Sequence, residues 1–124
     1  MKLLLDTHAA IWWQKEDARL AREAKRAIAR AEIVWVSAIT GLEVAIKVAQ
    51  GRMALRESFQ VMVAADDFTE LPVTLRHAEE LERLPRHHGD PFDRMLIAQA
   101  RVEGATIVTH DRAFETYGVP VIWT

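Results

Sequence analysis

The chain has 124 residues, half of them hydrophobic and 27% charged, the balance of one globular domain rather than of a disordered segment. It contains no cysteine, which excludes a disulfide scaffold, thiolate-bound zinc and a cysteine nucleophile, and fits a reducing cytoplasm. The net charge of −2, from 16 Lys and Arg against 18 Asp and Glu, gives no basic signature for nucleic acid until the acidic residues are located.

In chain order, residues 2–5 (Lys-Leu-Leu-Leu) read as a strand. Asp6 ends that apolar run far short of a leader or a membrane span. A helix follows over 8–14, then an Ala-rich helix over 18–31 carrying Arg19, Arg22, Lys25, Arg26 and Arg30. Residues 33–36 (Ile-Val-Trp-Val) are β-branched and aromatic, and form the second strand. The helix over 38–50 stops at Gly51, a natural residue just past a helix end. A helix over 57–67 precedes a weak strand at 69–73, which Pro72 restricts to a sheet edge or a strand end. After a helix over 75–84, residues 91–103 give the clearest helix. Asp90 stands at its N-cap, Pro91 at its first position and Gly104 just past its end. Strands at 105–109 and 119–123 enclose a short helical turn near 112–117. The unbroken strands are apolar on both faces, so the pattern predicts an α/β fold with a mostly parallel sheet covered on each side by helices.

In such a sheet the C-terminal strand ends and the N-termini of the following helices share one edge, where ligands bind. Four acids fall there. Asp6 follows the first strand, Glu43 lies near the start of the third helix, Asp93 is in the first turn of the 91–103 helix, and Asp111 follows the fourth strand. Each has an ordinary structural use. Asp6 and Asp111 suit helix caps, Asp93 suits a first-turn anion, and Glu43 suits a capping box with Thr40 or an ion pair with Lys47. Together, however, they form a self-repelling cluster unless cations sit in it. Hard divalent ions want carboxylate oxygens plus waters, so the quartet reads as a metal site. Asp93 also shares a stripe with Leu96, Ile97 and Ala100, a core-facing position that an acid does not take without a partner. Asp90, by contrast, reads as a structural cap.

Thr7, Ser37 and Thr109 end strands at the same edge and suit a water-holding or carboxylate-orienting role beside the commoner use of caps. His8 and His110 flank the acids, and His110 with Arg94 is a candidate contact for a substrate phosphate. His87 and His88 match no zinc spacing and read as solvated loop residues. A second apolar stripe, Met95, Ala98 and Val102, fits either a neighbouring helix or a subunit interface. No Walker loop, Gly-x-Gly-x-x-Gly or nucleophile elbow is present. Paired divalent ions on carboxylates hydrolyse phosphodiesters. Without the four site acids the rest of the chain carries +2. Lys47, Arg52 and Arg94, together with the Arg-rich helix, then become candidates to track a phosphate backbone; a solvated surface face is the equal alternative for that helix.

Leu-Leu-Asp-Thr-His at 4–8 with Trp12, Val-Ser-Ala-Ile at 36–39 followed by Glu43, His-His-Gly-Asp-Pro-Phe-Asp-Arg-Met-Leu-Ile-Ala-Gln-Ala at 87–100 and Ile-Val-Thr-His-Asp at 107–111 resemble the PIN-domain ribonucleases. More narrowly, they resemble the VapC-type toxins of type II toxin–antitoxin pairs. The resemblance spans nearly the whole chain. It implies one α/β/α sandwich domain over 1–124, with about five strands, and a cytoplasmic Mg²⁺- or Mn²⁺-dependent endoribonuclease. It also implies RNA as substrate, inhibition by a cognate antitoxin, and a homodimer; no membrane partner is expected. The family's acidic quartet falls on Asp6, Glu43, Asp93 and Asp111, and its strand-end hydroxyl on Thr109. Gly89 stands where many relatives carry a basic residue. The antitoxin groove is expected beside the helices at 8–14 and 38–67, with Trp12, Trp13, Val61 and Met62 in part exposed. A phosphorelay receiver is set aside, because Asp6 lacks an acidic neighbour, the third strand has no acceptor Asp and the fifth no Lys. The remaining alternative is a catalytically silent protein-binding module of the same fold.

Overall fold

The computed structural model describes residues 1–124. Five parallel strands, β1 (Lys2–Leu5), β2 (Ile33–Ser37), β3 (Thr69–Leu71), β4 (Thr106–Thr109) and β5 (Val121–Trp123), lie in the order β3-β2-β1-β4-β5. Every pairing is parallel, so the sheet goes beyond the mostly parallel arrangement expected from sequence. The helices are α1 (Thr7–Gln14), α2 (Arg22–Arg30), α3 (Ala38–Ala49), α4 (Phe59–Ala65), α5 (Leu75–Arg83) and α6 (Pro91–Glu103), with a 3₁₀ helix at Arg112–Tyr117.

The period-2 alternation of β1 organises the core. Leu3 and Leu5 project to one face, where they pack with Ala9 and Trp12 of α1, Leu20, and Ala24 and Ile28 of α2. Leu4 projects to the other face, among Met95, Leu96, Ile97 and Ala100 of α6, with Leu84 at the end of α5. Two apolar clusters separated by the sheet make a three-layer α/β/α sandwich, as expected. Met95 and Ala98 lie fully inside the second cluster, against which Leu81 of α5 also packs. Met95 and Ala98 of the stripe are thus covered within the chain, which leaves only partly exposed Val102 for a subunit interface.

Local chemistry sets the boundaries. Asp90 Oδ1 accepts the Phe92 and Asp93 amides (2.9 and 3.2 Å) and Pro91 opens α6. The helix closes at Gly104, whose φ of 69° lies in the left-handed region that a side chain disfavours. α3 is capped by Ser37 rather than by Thr40. α2 starts at Arg22, four residues later than its composition suggests. Asp17 holds Arg19 through both backbone and side chain, and Leu20 is buried in the turn that results. The part-buried orphan amide of Ala21 is taken by Thr124 Oγ1 (2.6 Å), which also donates to Arg19 O (3.0 Å), so Thr124 ties down the start of α2. β3 stops before Pro72 and β5 begins after Pro120, since proline cannot extend a ladder. No helix is long and apolar enough to cross a membrane.

Candidate active site

The chain winds outward from β1 in both directions: β2 and β3 lie on one side, β4 and β5 on the other. The C-terminal ends of β1 and β4 therefore border the point where the winding reverses, the usual ligand crevice of such sheets. Asp6 leaves β1 there and Asp111 follows β4. Asp6 is buried. Its Oδ1 caps α1 by accepting the Ala9 amide (2.8 Å), and its Oδ2 accepts the Thr109 hydroxyl (2.5 Å). Burial pushes its carboxyl upward, against these hydrogen bonds and the neighbouring His8 and His110, which favour the anion. Thr109 Oγ1 in turn accepts the Asp111 amide (3.0 Å), and Asp111 Oδ1 caps the 3₁₀ helix through Ala113 (2.9 Å).

Glu43 comes from α3. Its Oε1 accepts the Thr7 hydroxyl (2.6 Å) and its Oε2 pairs with Lys47 one turn on (2.9 Å). Hydroxyls thus hold two of the acids: Thr7 donates to Glu43 and Thr109 to Asp6, while Thr109 also accepts the backbone amide of Asp111. Asp93 completes the set. Its carboxyl is pushed up to about 7, mainly by burial and then by the negative charges of Asp90, Asp111, Asp6 and Glu43. The four sequence-predicted acids therefore share one electrostatic neighbourhood, and no Lys or Arg pairs with Asp93. An all-oxygen, mutually repelling donor set of this kind fits a hard divalent ion.

Other candidates are used differently. Ser37 Oγ donates to Gln99 Oε1 (2.5 Å) and caps α3, so it joins a buried polar network. Gln99 continues to the Pro72 carbonyl and to His77 Nδ1. That nitrogen also accepts the Thr74 amide, which leaves His77 Nε2 to donate to Glu103 (2.8 Å). Arg94 reaches the Pro85 carbonyl (2.9 Å) and the Tyr117 hydroxyl (3.2 Å), bracing the loop ahead of α6. Of the groove residues, Trp12 is buried in the core and Trp13 and Met62 are half-buried, while Val61 is exposed together with Leu42 and Ile46 of α3.

His88 was not legible from the sequence. It is half-buried rather than solvated. The Tyr117 oxygen accepts from Arg94 and from the His88 amide (3.3 Å), so its own proton goes to His88 Nδ1 (2.8 Å). Nε2 is then the protonated nitrogen. It is buried with no hydrogen-bond partner and faces Asp93 Oδ2 at 3.6 Å. The available signal was proximity alone: His88 lies five residues before Asp93, in the loop that Asp90 ends.

The fold and the carboxylate crevice define the class. A model of the PIN domain matches residues 3–120, and the chain belongs to that family. It is 33% identical over 121 residues to Ribonuclease VapC22 of Mycobacterium tuberculosis, a match covering 95% of this chain and 93% of that protein. Among solved structures it resembles VapBC2 from Rickettsia felis bound to a promoter DNA fragment (TM-score 0.71, 14% identity, 98% of each chain). It also resembles VapBC from Salmonella typhimurium bound to DNA (TM-score 0.68, 19% identity, 98% and 97% of the chains). A third likeness is FitAcB from Neisseria gonorrhoeae (TM-score 0.63, 22% identity, 97% and 96%). At these identities the structures establish a shared fold.

Proposed function

We propose that this chain is the toxin of a toxin–antitoxin pair, one PIN domain over 1–124 that cleaves RNA in the cytoplasm with Mg²⁺ or Mn²⁺. The observation that carries this is the grouping of Asp6, Glu43, Asp93 and Asp111 around the crevice where the sheet winding reverses, with Asp93 raised to about 7 mainly by burial and then by its acidic neighbours. The 33% identity to a ribonuclease over nearly the whole chain supports the substrate class.

When bound, divalent ions supply a water made acidic and charge stabilisation at the phosphorus oxygens. The protein supplies the rest. Asp6, Asp93 and Asp111 hold the cation, directly or through water. Thr109 fixes Asp6, and the Ala113 amide fixes Asp111. Glu43, steadied by Thr7 and Lys47, binds the ion or orients the attacking water. His110 stands exposed at the rim, in place to meet a phosphate. Arg22, Lys25 and Arg26 of α2 line a depression with Trp12 and Trp13 and offer positive charge to an RNA strand. Arg94 is a weaker contact, since its guanidinium is engaged by the loop.

For the antitoxin, the surface is a groove of about 560 Å³ between α3 and α4, lined by Val36, Gly41, Phe59, Val63 and Phe68 and flanked by exposed Leu42, Ile46 and Val61. Self-association rests on the family resemblance and on exposed Val73 and Leu75 at the start of α5, not on the α6 stripe. Incubation of purified protein with single-stranded RNA tests the reading. Cleavage with Mg²⁺ or Mn²⁺ that chelation abolishes is expected. No cleavage with either ion, by a chain that still binds an antitoxin in the α3–α4 groove, would instead mark a silent binding module.

A further inference from the structure

We propose that Asp6, His8 and His110 form a mixed nitrogen–oxygen cation position that takes a transition ion such as Mn²⁺, Co²⁺ or Zn²⁺ in preference to Mg²⁺. It rests on the functional reading only in that Asp6 belongs to both donor sets. One donor atom from each of these three side chains lies within 4.8 Å of the others. Neighbouring donors on one ion with bonds of about 2.1 Å stand about 3–3.6 Å apart, so the two exposed imidazoles swing inward to close the site.

The three residues come from the two strand ends that border the crevice. His8 is in the first turn of α1, two residues past Asp6, and His110 directly follows β4. Their rings meet edge to face, with centroids 4.8 Å apart at 88°. Trp12, buried and one helical turn beyond His8, packs against both, at 5.7 Å from His8 and 4.9 Å from His110. This packing restrains the imidazoles through their faces and edges, and no side-chain hydrogen bond or ion pair engages their nitrogens. Asp6 is held from behind: Ala9 and Thr109 each occupy one position on its two oxygens. Each carboxylate oxygen retains a free lone pair, and such supporting hydrogen bonds are what orient a ligand toward an ion.

The chemistry separates this position from the quartet. Carboxylate oxygens and water suit Mg²⁺, whereas imidazole nitrogen favours the later first-row ions. A cluster of four acids alone would rank divalent ions by size and charge. Two imidazoles beside the most buried acid of that cluster add a preference for transition ions.

The test is Co²⁺ titration of the untagged protein, followed by visible absorption, beside its His8→Ala, His110→Ala and His87→Ala variants. A Co²⁺ d–d band is expected for the wild type, and Zn²⁺ should displace it at stoichiometric concentration while millimolar Mg²⁺ does not. His8→Ala and His110→Ala should each weaken Co²⁺ binding at least about tenfold, with metal-free melting curves showing both variants folded. His87→Ala should bind as wild type. Unchanged Co²⁺ affinity in both His8→Ala and His110→Ala, or its loss in His87→Ala, overturns the proposal. Asn replaces Ala at either position if the Ala variant fails to fold. RNA cleavage is measured separately: Co²⁺ binding that depends on His8 and His110 in a protein inert toward RNA would retain this site and remove the proposed activity.

Discussion

Asp93 and Asp90 are both acids at the start of α6, and their surroundings give them opposite roles. Asp93 has its carboxyl pushed from 3.8 to about 7 by burial and by four neighbouring acids. Between about pH 4 and pH 7 the native chain therefore keeps a proton that the unfolded chain has released, so its stability falls as pH rises through that window. Asp93→Asn removes this descent. Metal-free variant should melt roughly 2–5 °C higher than wild type at pH 8, show little change at pH 4, gain less from Mg²⁺, and cleave no RNA. Melting curves at the two pH values decide it; equal melting at pH 8 would show that the acids do not strain the native state. Protons and cation compete for the same oxygen, so divalent-ion affinity should weaken as pH drops below about 7. Asp90 is a cap. Asp90→Ala should lose about 1 kcal/mol of stability in a denaturant titration while cleavage survives. Asp90 also raises Asp93, so its removal should move the acidic limb of metal binding to lower pH. A Tyr117→Phe change removes the hydroxyl that accepts from Arg94 and donates to His88. Leaving those groups without partners should cost about 1–3 kcal/mol, read as a lowered denaturation midpoint; an unchanged midpoint would mean that water replaces the phenol.

At the scale of elements, the helix α6 was fully legible because its signals are local. A cap, a proline and a left-handed glycine sit in sequence beside the helix that they bound. β1 and β4 were equally clear from their uninterrupted apolar runs. The start of α2 was not legible, because what unwinds residues 18–21 is an Asp17–Arg19 turn and a bond from Thr124 more than 100 residues away. The stripe of Met95, Ala98 and Val102 was visible as apolar, but periodicity does not say whether a helix of the same chain or a second subunit covers it. Gln99 shows the same limit. It reads as an unremarkable polar position, yet it is fully buried and joins α6 to the Ser37 hydroxyl at the end of β2 and to the Pro72 carbonyl after β3. Gln99→Leu should therefore destabilise by about 2–4 kcal/mol, since it leaves buried polar partners unpaired, and urea denaturation measures it. A loss below about 0.5 kcal/mol would show that the network is dispensable.

For the whole molecule, the sheet order is what brings scattered acids into one electrostatic neighbourhood. β1 lies in the middle with β2 on one side and β4 on the other, so the charges of residues 6, 43 and 111 reach Asp93 although 105 positions separate the first acid from the last. The sequence placed the quartet on one edge because the strand–helix alternation puts strand ends and helix starts together, and the proposed centre rests on that placement. The family resemblance fell on the same four positions. The sequence offered Thr7 and Thr109 as carboxylate-orienting residues but not their partners, Glu43 and Asp6, and it gave no sign of the Tyr117–His88 contact facing Asp93. Such pairings depend on side-chain direction at sites far apart in the chain. The most direct measurement of the central claim is cleavage of a single-stranded RNA by wild type and Asp93→Asn across a Mg²⁺ titration, with a chelator control. The carboxylate centre predicts wild-type cleavage that rises with Mg²⁺ and vanishes in chelator, and a folded Asp93→Asn variant reduced by at least about 100-fold. Wild-type cleavage undiminished in excess chelator, or an Asp93→Asn variant as active as wild type, would contradict it.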